Sequence, residues 1–403
     1  TGALRLRGQT TPFRPNTAPP IPHHEICQSD RPSGAFKSDR LLELAARLIP
    51  AEGGLSVVFA SSRYAPDALA TSLCSAFGDT ALIGCTTAGE IGPGGYQEGS
   101  LSGAHFAPEE IDFEIGLLED LEHTDARSMT LFAQELRSRL QARQGGLDNA
   151  RCFAFMLVDG LSSREESVAR AFHDGLGGIP LTGGSAGDEL SFTDTRVIFR
   201  GRLVRNAAVL LVATSERPFT LFKTQHFSPT DTRLVVTGAI PERRIVTEIN
   251  GCPAAPEYAR ALGMDPAALT PHVFAAHPVV VRIGNADFVR SIQRVNGDGS
   301  LSFFCAIDRG IVFRMAHGED ILSNLDTALK EAAGKIGEVE LILGCDCILR
   351  LLECRARNIV DAVSARLAAS RVIGFNTFGE QYRGMHINQT FTGIAFGKRP
   401  ALP

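Results

Sequence analysis

Three short turns carry the side chains best placed for chemistry. Each leads from a hydroxyl residue through glycine to an acid: Thr87-Ala88-Gly89-Glu90, Ser185-Ala186-Gly187-Asp188 and Thr377-Phe378-Gly379-Glu380. Glycine lets backbone take positive φ or approach a ligand closely, and neighbouring amides can form an anion or carbonyl site. Two readings are open. Glu90, Asp188 and Glu380 either tie down their turns, or they join Thr87, Gly89, Ser185, Gly187, Thr377 and Gly379 in lining one ligand site. Such a site would form where the turns gather at the ends of the sheets. A second cluster, Cys345-Asp346-Cys347 with Cys354, offers three thiols over ten residues. As zinc ligands they lack an obvious fourth, though His386 or another cysteine can complete the set in space. A redox pair and buried inert thiols are the competing readings. Gly183-Gly184-Ser185-Ala186-Gly187 imitates a nucleophile elbow, but Ser185 stands where Thr87 and Thr377 stand in the other turns. No H-E-x-x-H or Walker A string occurs. An enzyme is not expected.

Composition narrows the classes further. The 403 residues are 44% hydrophobic and 21% charged, with a formal net charge of −5. That lacks the basic excess a nucleic-acid binder uses against phosphates. No apolar run approaches the roughly 18 residues of a membrane span, and Thr1 to Arg7 lack a secretory leader. Nine cysteines in this length are too sparse for a disulfide scaffold. A cytoplasmic, membrane-free protein is expected.

The elements that must position these turns recur along the chain. Residues 1–36 are proline-rich and read as a flexible arm, with His23, His24 and Cys27 in it. After a helix-spaced run from Leu41 to Leu48, Leu55–Ala60 reads as a strand, Pro66–Phe77 as a helix and Ala81–Cys85 as a strand. The same strand, helix and strand return at 152–181 and again at 339–375. Ile83–Phe106 and Ile373–Phe396 align without a gap and share 8 of 24 residues, which marks internal duplication. Antiparallel meanders are expected at 196–227 and 279–315. The predicted fold is mixed, α+β and α/β, in two related halves of repeated strand-helix-strand units divided near 237–245. The domains are then 37–240 and 241–403.

The strings ALIGCTTAGEIGPGGYQEGSLSG, GGSAGDELSF, VTEINGCPAAPEYARALG and GFNTFGEQYRGMHINQTFTGIAFG together resemble the FIST sensory domain family, from about Leu41 to Gly397. The resemblance implies a signal-transduction input module that binds a small metabolite such as an amino acid. It also implies pairing with a histidine kinase or a cyclic-di-GMP enzyme. FKTQHFSPTDTRLVVTGA, FVRSIQRVNGDGSLSFFCAIDRGIVF, GCDCILR and HINQTFTGIAFG look closer to the family's nitric-oxide-sensing branch, which implies a b-type haem. Haem needs an axial ligand with a lone pair in an apolar pocket. His226, His277 and His386 adjoin apolar residues in these segments, and each is a candidate ligand. A hydrogen-bonded structural histidine is the alternative for each. An edge-to-edge homodimer is a further expectation.

Overall fold

The computed structural model describes residues 53–399, except Asp79 and Asn285. The arm at 1–36, with His23, His24 and Cys27, and the helix read after Ser38 lie outside the described residues. The repeated unit is two parallel strands joined by a helical crossover, then a hairpin, then an antiparallel return strand. In the first repeat these are Leu55–Ser61, helix Pro66–Phe77, Ala81–Thr87, hairpin Glu90–Gly92 with Gly95–Gln97, and Leu101–Phe106. The second runs Cys152–Val158, helix Glu165–Gly175, Leu181–Ser185, hairpin Val197–Phe199 with Arg202–Val204, and Ala208–Ser215. The third runs Val339–Cys347, helices Ile348–Ala356 and Val360–Ala369, and Val372–Thr377. It closes with hairpin Glu380–Tyr382 and Met385–Ile387, then Phe391–Gly397.

Each repeat gives its hairpin away. The first repeat's hairpin extends the third repeat's strand, pairing Glu90 with Phe375. The third's extends the second, pairing Glu380 with Gly184. The second's extends the first, pairing Val197 with Cys85. The exchange is cyclic, so three repeats close into a ring. The mixed α+β class read from the sequence is the class found, with the repeats resolved as a ring of three. An eight-stranded sheet spanning residues 227–318 is inserted into the third repeat, between Phe219–Thr224 and helix Ile321–Ile336.

Strand alternation builds the core. Leu55, Val57 and Phe59 turn to the centre and meet Phe153, Phe155 and Leu157 of the second repeat and Leu341, Leu343 and Phe375 of the third. Phe59 stacks on Phe375 at 4.6 Å. Val58 and Ala60 point the other way, onto Leu69, Leu73 and Phe77 of the crossover helix. The duplicated Ile-Gly has a packing reason: a Cβ on Gly84 or Gly374 would lie 2.0 Å from the carbonyl oxygen of Val58 or Gly344 on the partner strand. Helix Ala126–Gln144 was not evident in the sequence. Asp125 caps it on the Ser128 amide, Gly145 ends it at φ 68°, and Met129, Ala133, Leu136 and Leu140 form its buried stripe.

Candidate functional site

The hairpin exchange brings the three turns together. Asn376 N–H donates to the Gly89 carbonyl at 2.7 Å, Gly187 N–H to Thr86 at 3.0 Å, and Ser185 N–H to Gly379 at 2.8 Å. They meet at the carboxyl ends of the three parallel pairs, the end where α/β folds place ligands. The acids themselves are spent on their own repeats. Glu90 is fully buried, and one oxygen accepts the Ser100 N–H and hydroxyl at 2.9 and 2.7 Å while the other meets the Thr87 hydroxyl. Glu380 repeats this with Thr390 and Thr377. Asp188 accepts the amides of Phe192, Thr193 and Asp194 at 2.6–2.9 Å. The three carboxyl groups hold their turns closed.

Neither buried glutamate has a cation beside it. Burial therefore outweighs the hydroxyl and amide donors, pushing Glu90 up to about 7 and Glu380 up to about 8 from 4.5. A carboxyl with a raised folded-state pKa contributes stability that is complete below pH 4.5 and is lost as pH rises through 7 to 8. The double variant E90Q/E380Q imitates the protonated pair. Relative to wild type, its urea midpoint should gain between pH 5 and 8; a constant difference across that range contradicts the assignment.

Each donated hairpin also makes a seam with the repeat that receives it, and the three seams differ. Between the first hairpin and the third repeat a connected ion-pair network fills the seam, leaving Gln97 Oε1 and Asn376 Oδ1 unpartnered. Tyr96 donates its hydroxyl to Asp346, Arg350 reaches Asp346 at 2.7 Å and His226 Nδ1 at 3.0 Å, and His226 Nε2 meets Glu353 at 2.7 Å. Arg357 pairs with the other Glu353 oxygen at 2.7 Å. His226, Asp346, Arg350 and Glu353 are all buried. Between the second hairpin and the first repeat lies a small cleft of about 130 Å³ with Thr86, Asp188, Thr193 and Arg196 in its wall.

The seam between the third hairpin and the second repeat carries the larger group of unmatched atoms among the described residues, and the insert covers it. Gln381 Nε2 donates to His386 Nδ1 at 3.0 Å and to Ser185 Oγ at 2.8 Å. From the insert, Arg244 reaches Glu165, Glu166 and the Phe304 carbonyl, and the Ala306 amide donates to Glu166. Phe192 packs on Phe378 and Phe304 at 5.0 and 6.0 Å. Here five buried polar atoms lack a well-formed hydrogen bond to any described residue: Gln381 Oε1, His386 Nε2, Asn388 Oδ1, Gln389 Oε1 and Ser291 Oγ, the His386 ring lying against a backbone group, that of Phe304. Buried polar atoms are normally paired, and each orphan costs about 1–3 kcal/mol. A cluster of them around one seam indicates a place built to receive something polar. Burial takes His386 down to about 4, so its ring is neutral near pH 7, and it pushes Glu165 up to about 7 against the pull of Arg244.

The expected haem and metal ligands fare differently. His226 has both ring nitrogens engaged by buried partners. His277 is exposed at the end of helix Pro271–Ala276. Of the three, only His386 is buried with a ring nitrogen, Nε2, that lacks a well-formed hydrogen bond. A ligating imidazole donates its other N–H outward, whereas His386 Nδ1 accepts from Gln381, leaving the proton on Nε2. The residues present do not fit an axially ligated haem in this arrangement. Cys345, Cys347 and Cys354 lie in three separate apolar clusters. Burial pushes the first two thiols well above their usual value and Cys354 up to about 12. Among the described residues no group of three or more His, Cys, Asp or Glu is disposed to hold a metal ion. The expected zinc set is thus corrected to inert core thiols. The Ser185 string has elbow spacing, yet its hydroxyl faces the Gln381 amide instead of a base.

Three repeats in a ring, with an inserted sheet over one seam, define a mixed α+β protein with an inter-repeat site. The chain belongs to the FIST family: the FIST N domain matches residues 54–252 and the FIST C domain residues 254–383. FIST domains are a sensory signal-transduction family. Comparison with curated proteins finds no match. Among solved structures, a chorismatase crystal structure aligns over 85% of this chain and 92% of that chain, at 10% identity and a TM-score of 0.28. No described helix is long and apolar enough to cross a membrane.

Proposed function

We propose that the chain is a receptor for a small polar metabolite of the amino-acid kind, bound in the seam between the third hairpin and the second repeat. The bound state then passes by contact to a separate histidine kinase or cyclic-di-GMP enzyme. The observation that carries the site is the cluster of five buried polar atoms without a well-formed hydrogen bond. It combines hydrogen-bond donors (His386 Nε2, Ser291 Oγ) with acceptors (the amide oxygens of Gln381, Asn388 and Gln389), which suits a ligand having both kinds of group. The role proposed for these groups is binding. The output half of the reading rests on the family's sensory role.

The test is thermal unfolding of the chain with each standard L-amino acid, beside an absorption spectrum after haemin addition and desalting. At least one amino acid should stabilise the protein, by about 2.7 kcal/mol at a hundredfold excess over Kd. The alternative, a haem-based nitric oxide sensor, has the buried His386 Nε2 in its favour. A retained Soret band that shifts with nitric oxide, with no response to any amino acid, would replace the metabolite reading with that one.

A further inference from the structure

We infer that the seam's ligand carries a carboxylate and that Arg290, with Ser291 beside it, is the anchor for that group. The inference rests on the seam reading above and deepens it. Arg290 closes strand Ala286–Arg290 of the insert and is half-buried. Its one hydrogen bond is to the adjoining Val289 carbonyl at 3.3 Å, and it has no acidic partner among the described residues. Arg244 is matched to Glu165 and Glu166, Arg350 to Asp346, and Arg217 to Glu110 and Glu340, whereas Arg290, like the half-buried Arg137 and Arg164, has no acid beside it among the described residues. A guanidinium has five N–H donors in a planar fork, and bidentate carboxylate binding is its characteristic use.

The place is the seam itself. Strand Ala286–Arg290 packs against Met385–Ile387, the strand that carries His386, and the Arg290 charge acts on both His386 and Cys305. Ser291, the next residue, is fully buried with an unpartnered hydroxyl, and its carbonyl takes the Phe304 amide at 3.0 Å. Two donors therefore come from the insert, the guanidinium and the Ser291 hydroxyl, and His386 Nε2–H adds a third from the hairpin. The amide oxygens of Gln381, Asn388 and Gln389 supply the acceptors from the third repeat. The charge balance agrees. Glu165 and Glu166 both answer Arg244, and no acid of the described residues answers Arg290. A carboxylate entering past Arg290 meets that unanswered charge and the donors together, and the rest of the molecule meets acceptors.

The experiment is titration calorimetry on the full chain with the standard L-amino acids and their C-terminal carboxamides, which differ in the charge of one group. The wild type should bind the best amino acid about 10- to 100-fold more tightly than its carboxamide, the range of a hydrogen-bonded charged contact. R290A should erase that preference, and R290K should retain part of it, because lysine keeps the charge but loses the fork. Unliganded melting curves of both variants serve as folding controls. Equal binding of amino acid and carboxamide to wild type overturns the anchor while leaving the seam reading intact. So does an R290A variant that keeps the preference. Binding of neither probe overturns the seam reading and the anchor with it.

Discussion

Replacing Arg350 with methionine is expected to destabilise the chain by about 3–5 kcal/mol, the cost of removing one partner from a buried ion pair. The side chain is 1% exposed and lies between Asp346 and His226. Without it, Asp346 keeps the Tyr96 hydroxyl but loses its cation, and burial already raises that carboxyl despite Arg350. His226 loses the donor on Nδ1. The damage spreads because this network joins the first hairpin to the third repeat. The His226 backbone carbonyl also accepts the Glu319 amide at 2.7 Å, where the chain leaves the insert. Removing both charges, as D346N/R350M, should recover a substantial part of the loss, since no unpaired buried charge is then left at position 346. Urea unfolding checks both variants; a loss below about 1 kcal/mol for R350M means the seam is not held by this network.

The second large effect separates binding from folding. Asn388 is fully buried, its oxygen is unpartnered, and its nitrogen makes only a long 3.4 Å contact to the Phe378 carbonyl. Asn388→Leu is close in shape and removes the orphan acceptor. The unliganded variant should be as stable as wild type or more so, because a group left unsatisfied for function costs stability in its absence. The stabilisation by the best amino acid, about 2.7 kcal/mol at a hundredfold excess over Kd, should fall to near zero. Thermal melts with and without the amino acid measure both. A clear fall in unliganded stability with the ligand shift retained would make Asn388 a structural residue.

Local pattern made much of the fold legible. Helix Pro66–Phe77 and strand Cys152–Val158 were readable to the residue, because Pro at the first turn and an unbroken apolar run are strong local cues. The helix read over Ala356–Ala369 begins only at Val360, after Asn358 takes φ 55°, and the helix before it, Ile348–Ala356, was not evident in the sequence. Helix Ala126–Gln144 was hidden because its polar residues dilute a narrow stripe. The site was legible only in part. The turns and their equivalence stand in the sequence, but the partners of Glu90 and Glu380 sit ten residues on, in Ser100 and Thr390. His226 read as a haem candidate because its closing partners, Arg350 and Glu353, are more than 120 residues away. Gln381 and Asn388 lie in the same duplicated string as His386. Arg290 and Ser291 come from the insert, and no spacing rule connects them to His386.

The most direct test of the central claim is hydrogen–deuterium exchange of the full chain, with and without the L-amino acid giving the largest thermal shift. The account predicts that new protection concentrates in peptides covering 378–390, 288–292 and 304–306, the three segments that form the covered seam. Protection confined to the cleft near Thr86 and Arg196, or to the helices of the third repeat, would contradict it.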